Sequence, residues 1–168
     1  MNQAVISIRR ARPGDAPALS EVFETAWREA YQGVIPGVAL ERMIARRGPP
    51  WWREAIGRNR ALVVLDNAGT LAGYAAYGRC RARSLPAEGE VDELYLAPVY
   101  QGLGFGSRLF KAVRNDLSDK GAPRVVVWSL AENPRARAFY EGLGGRVIAQ
   151  SSEGAGGTQL AKVAYLFS

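Results

Sequence analysis

The chain has no histidine and a single cysteine in 168 residues. Without histidine there is no Ser-His-Asp or Cys-His relay and no histidine-ligated zinc. Cys80 alone makes neither an internal disulfide nor a metal cluster. It reads as a small buried hydrophobe in a strand. Acid–base work therefore falls to carboxylates, tyrosine, lysine or water. Long apolar runs are missing too, and none approaches the roughly 18 residues of a membrane span. Residues 1–10 lack the charged start and apolar stretch of a signal peptide. They read as a strand, and a cytoplasmic location is the default expectation. Blocks of five or more like charges are also absent. The arginines are scattered (Arg9, Arg10, Arg28, Arg46, Arg47, Arg58, Arg60, Arg79, Arg81, Arg83) and form no ionic tail.

The length suits one domain with one sizeable core, here taken as residues 1–168. Apolar residues at 48% and charged residues at 23% are ordinary for a globular protein. The net charge of +6 fits an acidic partner. That partner is a nucleic acid or a phosphate-bearing cofactor, unless the surface is merely basic and solvated. Charge alone does not choose, and no known nucleic-acid motif is visible.

Local patterns mark the elements. Asp15 stands where an N-cap belongs. Leu19, Val22, Phe23, Ala26, Trp27 and Ala30 then recur at helical spacing as far as Tyr31. Gly33 and Pro36 break that helix. A short helix follows over about 37–46, and one or two further turns over 51–56. Two β-rich runs, 61–65 and 70–77, flank Asp66-Asn-Ala-Gly69 and read as a hairpin. Residues 91–96 form a third strand, stopped by Pro98. A glycine-rich segment and a helix with one buried stripe (Phe105, Leu109, Val113, Leu117) come next. The apolar run 124–130 reads as a strand buried on both faces. Asn133-Pro134 is a helix start, and that helix ends at Gly142-Leu-Gly-Gly145. Two last strands, about 146–151 and 158–167, flank Gly154-Ala-Gly-Gly157. The fold class is α+β, with a mixed sheet.

The strongest chemical signal is strand, tight turn, helix at Gln101-Gly-Leu-Gly-Phe-Gly106. Gly102, Gly104 and Gly106 let a ligand approach the backbone closely. The following helix offers unpaired N–H groups and a partial positive charge, a site for phosphate or pyrophosphate. Ser107 adds a hydroxyl. A Walker loop needs Gly-Lys-Ser/Thr and is ruled out by Gly-Phe-Gly-Ser. A Rossmann fingerprint needs glycine at the sixth position, where Ser107 stands, and opens βαβ halves not seen here.

This segment resembles the Q/R-x-x-G-x-G/A signature of the GCN5-related N-acetyltransferase (GNAT) superfamily. Leu94-Tyr-Leu-Ala-Pro98 resembles the strand and stop that precede the signature. Asn133-Pro-Arg-Ala-Arg-Ala-Phe-Tyr-Glu-Gly-Leu-Gly144 resembles the family's second cofactor segment. Together these span about 90–145. The resemblance implies the acyl-CoA N-acyltransferase fold, a mostly antiparallel sheet flanked by helices. It implies acetyl-CoA as co-substrate, with no metal. The pyrophosphate would lie on the N–H groups of Gly102, Leu103, Gly104, Phe105, Gly106 and Ser107, next to Gln101. The pantetheine arm would pair with the strand at Leu94, Tyr95 and Leu96, and would touch Asn133. Tyr140 would be general acid for the departing thiolate. Asn133, Arg137 and Tyr140 are spaced to share a helix face, from which Arg137 could reach a phosphate. The plainer readings are an N-cap for Asn133 and a packed aromatic for Tyr140.

The reaction so implied is attack of an amine on a thioester. A lysine-like amine, with pKa about 10.4, is held from its neutral form at pH 7 by roughly 4.6 kcal/mol. A base receives that proton, directly or through water. Glu90 and Asp92 are two apart on a strand and share a face. Glu93 faces away unless a bulge intervenes. In related enzymes the catalytic carboxylate matches Glu90 in some cases and Asp92 in others. A third position used in the family is Trp128 here, which closes that route. The helices that would wall the acceptor pocket carry Trp27, Tyr31, Trp51 and Trp52. Trp27 reads as core. The expected acceptor is a primary amine of a small molecule or peptide, with no nucleic acid or membrane partner and a homodimer as an option. The alternative is a non-catalytic acyl-CoA-binding regulatory module.

Overall fold

The computed structural model describes residues 6–58 and 60–168. The first five residues of the expected opening strand lie outside these. Strand β1 is Ile6–Arg10, and α1 is Ala16–Tyr31. Helices α2 (Gly37–Ala45) and α3 (Pro49–Ile56) complete the N-terminal helical layer. The hairpin β2 (Ala61–Asn67) and β3 (Thr70–Arg79) leads to β4 (Gly89–Leu96). Then come α4 (Phe105–Asp119), β5 (Val125–Leu130), α5 (Pro134–Gly142), β6 (Arg146–Ala155) and β7 (Thr158–Phe167). One seven-stranded sheet runs in the order β1-β2-β3-β4-β5-β7-β6. Every pairing is antiparallel except β4–β5. Among the described residues, no helix is long and apolar enough to cross a membrane.

Period-two alternation gives the sheet two apolar faces. On one face, Leu109, Phe110, Val113 and Leu117 of α4 pack with Val63, Ala75, Val91, Val125 and Val127. Tyr140 of α5 joins the same cluster. Full burial of these four α4 side chains contributes about 6–12 kcal/mol gross, before ordering entropy is subtracted. That load fixes the start of α4 against the sheet. On the other face, Leu19 and Phe23 of α1 and Trp52 of α3 cover Leu62, Val64 and Tyr74. Leu40 and Ile44 of α2, with Tyr31 and Ile35, cap Leu160 of β7. Strand β5 is buried on both faces along most of its length, as its apolar run required.

Two features of β4 shape the centre of the molecule. Its parallel pairing with β5 lasts three residues, from Gly89–Val125 to Val91–Val127, and then stops. Beyond that point β4 continues to Leu96 and β5 to Leu130, with a gap between them. The second feature is a bulge. Val91 pairs with Tyr77 and Glu93 with Ala76, so Asp92 has no partner in the β3 ladder.

Two local expectations are corrected. Asp15 is helical (φ −80, ψ −11) because a 3-10 turn, Pro13–Asp15, runs straight into α1. Its carboxylate makes no cap bond to α1. It turns back to accept from the Arg12 N–H at 2.7 Å and from both Arg9 Nη atoms at 2.8 and 3.0 Å. The Arg9 hydrogen bonds hold Asp15 below the usual carboxylate range. Cys80 lies just past β3 and is half-buried rather than a core strand residue.

Candidate active site

The turn between β4 and α4 is built to leave donors free. Gly102 and Gly104 adopt φ +77 and +83, where a Cβ is strained. Gly104 is the N-cap of α4 and offers no side-chain acceptor to the helix. From Gly102 to Ser107, no backbone N–H donates to another group among the described residues. Gly106 serves packing instead. A Cβ there would meet the Phe139 ring at 3.1 Å and Leu96 at 3.4 Å, so its bareness lets α5 close on α4. Gln101 braces the turn, donating from Nε2 to the Leu96 carbonyl at 3.1 Å. Leu103 stands exposed at the tip.

Helix α5 is anchored by its own residues. Asn133 caps it, accepting from the Ala136 N–H at 3.1 Å through Oδ1. Its amide nitrogen has no partner among the described residues. Arg137 donates to the Tyr165 hydroxyl at 2.9 Å and to the Ala131 carbonyl at 3.3 Å. Tyr165 in turn donates to Glu141 at 2.8 Å. Arg137 is therefore a strap that ties α5 to Ala131, just past β5, and to β7. Tyr140 is buried among Phe110, Phe139, Tyr165 and Phe167. Burial raises its phenol above the ordinary value, and its hydroxyl has no hydrogen-bond partner among the described residues.

Tyr95 lies on the opposite face, packed edge-on against Tyr74. Its phenol is raised by burial first, then by the nearby negative charge of Glu93 and the phenols of Tyr31 and Tyr140. Groups from both faces thus approach one another at the gap beyond Val91 and Val127.

The bulge settles where the acids point. Glu90, Asp92 and Glu93 all lie on the α1–α3 face, but they are held differently. Glu93 is clamped by both Arg47 Nη atoms at 2.6 and 2.9 Å and by the Tyr74 hydroxyl at 2.9 Å. Arg47 itself lies 4.0 Å from the ring centres of Phe23 and Trp51. Its Nε, with the ring nitrogens of Trp27 and Trp52, is buried without a partner among the described residues. Asp92 uses both oxygens, taking Arg60 at 2.5 and 2.7 Å and Arg81 at 2.8 Å. Glu90 accepts from Arg81 at 3.0 Å and Arg60 at 3.5 Å, both through Oε1. No arginine among the described residues donates to its Oε2, and its carboxyl lies within hydrogen-bond reach of Asp92. Burial pushes Glu90 above the usual carboxylate range against the pull of Arg81, and neighbouring Asp92 pushes the same way.

Residues 19–144 match the model of the acetyltransferase (GNAT) family. The chain belongs to that family. The acetyltransferase is 24% identical over 159 residues to the uncharacterized N-acetyltransferase YuaI of Bacillus subtilis, covering 95% of this chain and 91% of that protein. It is 26% identical over 148 residues to the L-amino acid N-acyltransferase MnaT of Escherichia coli, covering 86% of this chain and 82% of the relative. Its fold matches the PaiA N-acetyltransferase of Thermoplasma acidophilum, solved with coenzyme A. The TM-score is 0.76 at 19% identity, over 95% of this chain and 98% of that one.

Beside the acids, the acetyltransferase has a cavity of about 330 Å³ whose walls include Arg81, Glu90, Asp92, Trp128, Glu153 and Lys162. Cross-strand pairing of Ser151 with Lys162 and Glu153 with Leu160 puts β6 and β7 side chains on this same face. Among the described residues, none of the side chains that line the cavity comes from a helix. Tyr31, at the end of α1, lies near Glu93 and Glu153, and burial with these charges pushes it up to about 12. Trp52 is core, 1% exposed, and Trp27 is half-buried between Phe23 and Tyr31. Among the described residues, no three metal-ligating side chains group together. The structure thus brings the turn, Leu96, Tyr95 and Tyr140 to the gap, with Glu90 and Asp92 on its far side.

Sequence reasoning missed Arg47, Arg60 and Arg81, which were read as scattered surface charge. The hairpin held the signal for two of them. Arg60 precedes β2 and Arg81 follows β3, so antiparallel pairing through β4 brings both to the Glu90 end. Gly78 confirms the fit, because a Cβ there would sit 2.8 Å from Arg60 Nη1.

Proposed function

We propose that this acetyltransferase moves the acetyl group of acetyl-CoA to a primary amine of a small molecule or peptide by direct attack. No covalent enzyme intermediate is involved. The observation that carries the reading is a row of free N–H groups, Gly102 to Ser107, beside a gap that joins the two faces of the sheet. A diphosphate fits that row, because the helix end is positive and no Cβ obstructs Gly102 or Gly104. The β4 edge at Leu94, Tyr95 and Leu96 has no β5 partner and can pair with an extended arm. Asn133 contacts that arm through its free amide nitrogen. When bound, acetyl-CoA supplies an activated thioester.

The protein's residues then handle two protons. Tyr140 keeps its proton through the neutral range and gives it to the departing sulfur. Glu90 receives the amine proton at Oε2, directly or through water. Burial brings its pKa up toward the working pH, which favours a base. Asp92 supports it by holding Arg60 and Arg81 in place. Glu93, clamped by Arg47, is not the base. A binding module without catalysis would need neither the free phenol nor the carboxylate oxygen that no arginine holds. The relative MnaT is named for L-amino acids, acceptors that carry a primary amine.

Calorimetry with coenzyme A and a thiol-release assay with acetyl-CoA test this reading. Heat with coenzyme A and amine-dependent thiol release are expected. No heat would overturn it.

A further inference from the structure

We infer that Arg81 is a stand-in for the acceptor: its guanidinium occupies the place beside Glu90 and Asp92 that the acceptor's ammonium takes, and it swings out when the acceptor enters. This rests on the transferase reading above and names the residue that decides which acceptors get in.

Two arginines serve the same two acids, and they are held differently. Arg60 grips Asp92 through Nε and Nη2 at 2.5 and 2.7 Å, and its Nη1 donates to the Arg79 carbonyl at 3.0 Å. The missing Cβ of Gly78 makes room for it. Its side chain is 29% exposed and takes no part in the cavity wall. Arg81 is 65% exposed and lines the cavity. It gives each acid one hydrogen bond, at 3.0 Å to Glu90 and 2.8 Å to Asp92. Its backbone stands two residues past the end of β3, outside the strand ladders. Arg60 is therefore a fixture and Arg81 is removable. An ion pair with so exposed a member adds little net stability, and the long side chain regains rotamer freedom on leaving.

Charge decides what can replace it. With both acids ionised, the two arginines cancel them. A buried carboxylate left without a cation is costly, so the free protein needs a cation at this place. When Arg81 leaves, Arg60 still holds Asp92 through both oxygens but reaches Glu90 only at 3.5 Å. A single negative charge is then left, centred on Glu90. One ammonium restores neutrality. A neutral or anionic head group does not, and a second cation beside the first finds no surplus charge in the pair. The exchange also sets the amine nitrogen against the carboxylate that receives its proton.

Competition by a tethered guanidinium has a measurable consequence. An acceptor meets a competent site only in the fraction of molecules whose arginine is away, and its apparent affinity falls by that fraction. An arginine absent a tenth of the time would raise KM about tenfold.

The test titrates the natural protein and Arg81→Ala, each loaded with coenzyme A, with methylguanidinium and with ethylammonium. The indole N–H of Trp128, in the cavity wall, reports binding by NMR. Both cations are expected to bind the variant about tenfold tighter than the natural protein. For an amine that releases thiol from acetyl-CoA, KM should fall by a similar factor in the variant, and methylguanidinium should compete with it. Should Arg81→Ala misfold, Arg81→Gln removes the charge and keeps an amide donor. On the natural protein itself, excess ethylammonium should move the Arg81 Nε–H signal to that of a free arginine. Equal affinity of the two proteins for both cations overturns the inference, as does silence at Trp128 in either protein. So does a rise in KM in the variant, or an Arg81 signal that stays in place. In each of these cases coenzyme A binding leaves the transferase reading standing, whereas failure to bind coenzyme A removes both.

Discussion

Replacing Tyr140 by phenylalanine separates chemistry from packing. The phenol makes no hydrogen bond among the described residues, so the roughly 1 kcal/mol of a typical bond is not at stake. The ring keeps its neighbours, Phe139 at 5.1 Å and Tyr165 at 5.8 Å between centroids. The melting temperature is therefore expected to stay level or rise slightly. Turnover should behave otherwise. A positioned general acid contributes about 10²–10⁴-fold, or roughly 3–5 kcal/mol of barrier. A fall in kcat of at least about 10² is expected, with acetyl-CoA affinity nearly unchanged. Burial raises the phenol above its ordinary value, so it stays protonated and the deficit should be flat from about pH 6 to 9. Calorimetry, steady-state kinetics and a thermal melt provide the three readings. Full turnover in the variant would refute the acid role, and a parallel loss of melting temperature and turnover would reduce Tyr140 to a packing residue.

Four further outcomes are expected. Glu90→Gln should lose turnover and the acidic limb of its pH profile. Because Glu90 is raised in the fold, its contribution to stability is full below about pH 4.3 and lost as pH rises. Melts from pH 4 to 8 should thus show the variant gaining on the natural protein. Asp15→Asn should cost about 1–3 kcal/mol at neutral pH. Asp15 is lowered, so its stabilisation is present above about pH 3.9 and fades below, and the gap in melting temperature should close in acid. Gly104→Ala meets no atom within 4 Å but keeps φ +83; strain of about 1–2 kcal/mol should appear with weaker coenzyme A binding in calorimetry. Gly73→Ala should destabilise by about 1–3 kcal/mol in a denaturant melt, since its Cβ would lie 2.5 Å from the Tyr95 carbonyl and Leu96.

Much of this architecture was legible because its determinants are local. Asn133-Pro134 carries its cap within four residues, and the α4 stripe needs only helical spacing. The glycine turn announced its free donors because φ and missing Cβ atoms are properties of the segment itself. Other features depend on partners far along the chain. Whether Glu93 joins Glu90 is decided by one unpaired residue at Asp92, set by how β3 and β4 register. The helix-face spacing of Arg137 is visible in the sequence, whereas its bond to Tyr165, from the last strand, is set by how α5 packs on the sheet. Asp15 looked like a cap until the 3-10 turn before it fixed its backbone. Arg47 gave no warning, because an arginine's type is the same whether it is solvated or buried against tryptophan.

On the function proposed above, the parting of β4 from β5 after Val91 dictates the shape of any compound that would block both substrates together. One end would sit at the glycine turn, and the other in the charged hollow that Trp128 helps to line. The tether between them has only the slot separating two strands to pass through. Such an inhibitor has to be slim at its waist, and bulk added there will cost more affinity than bulk added at either end.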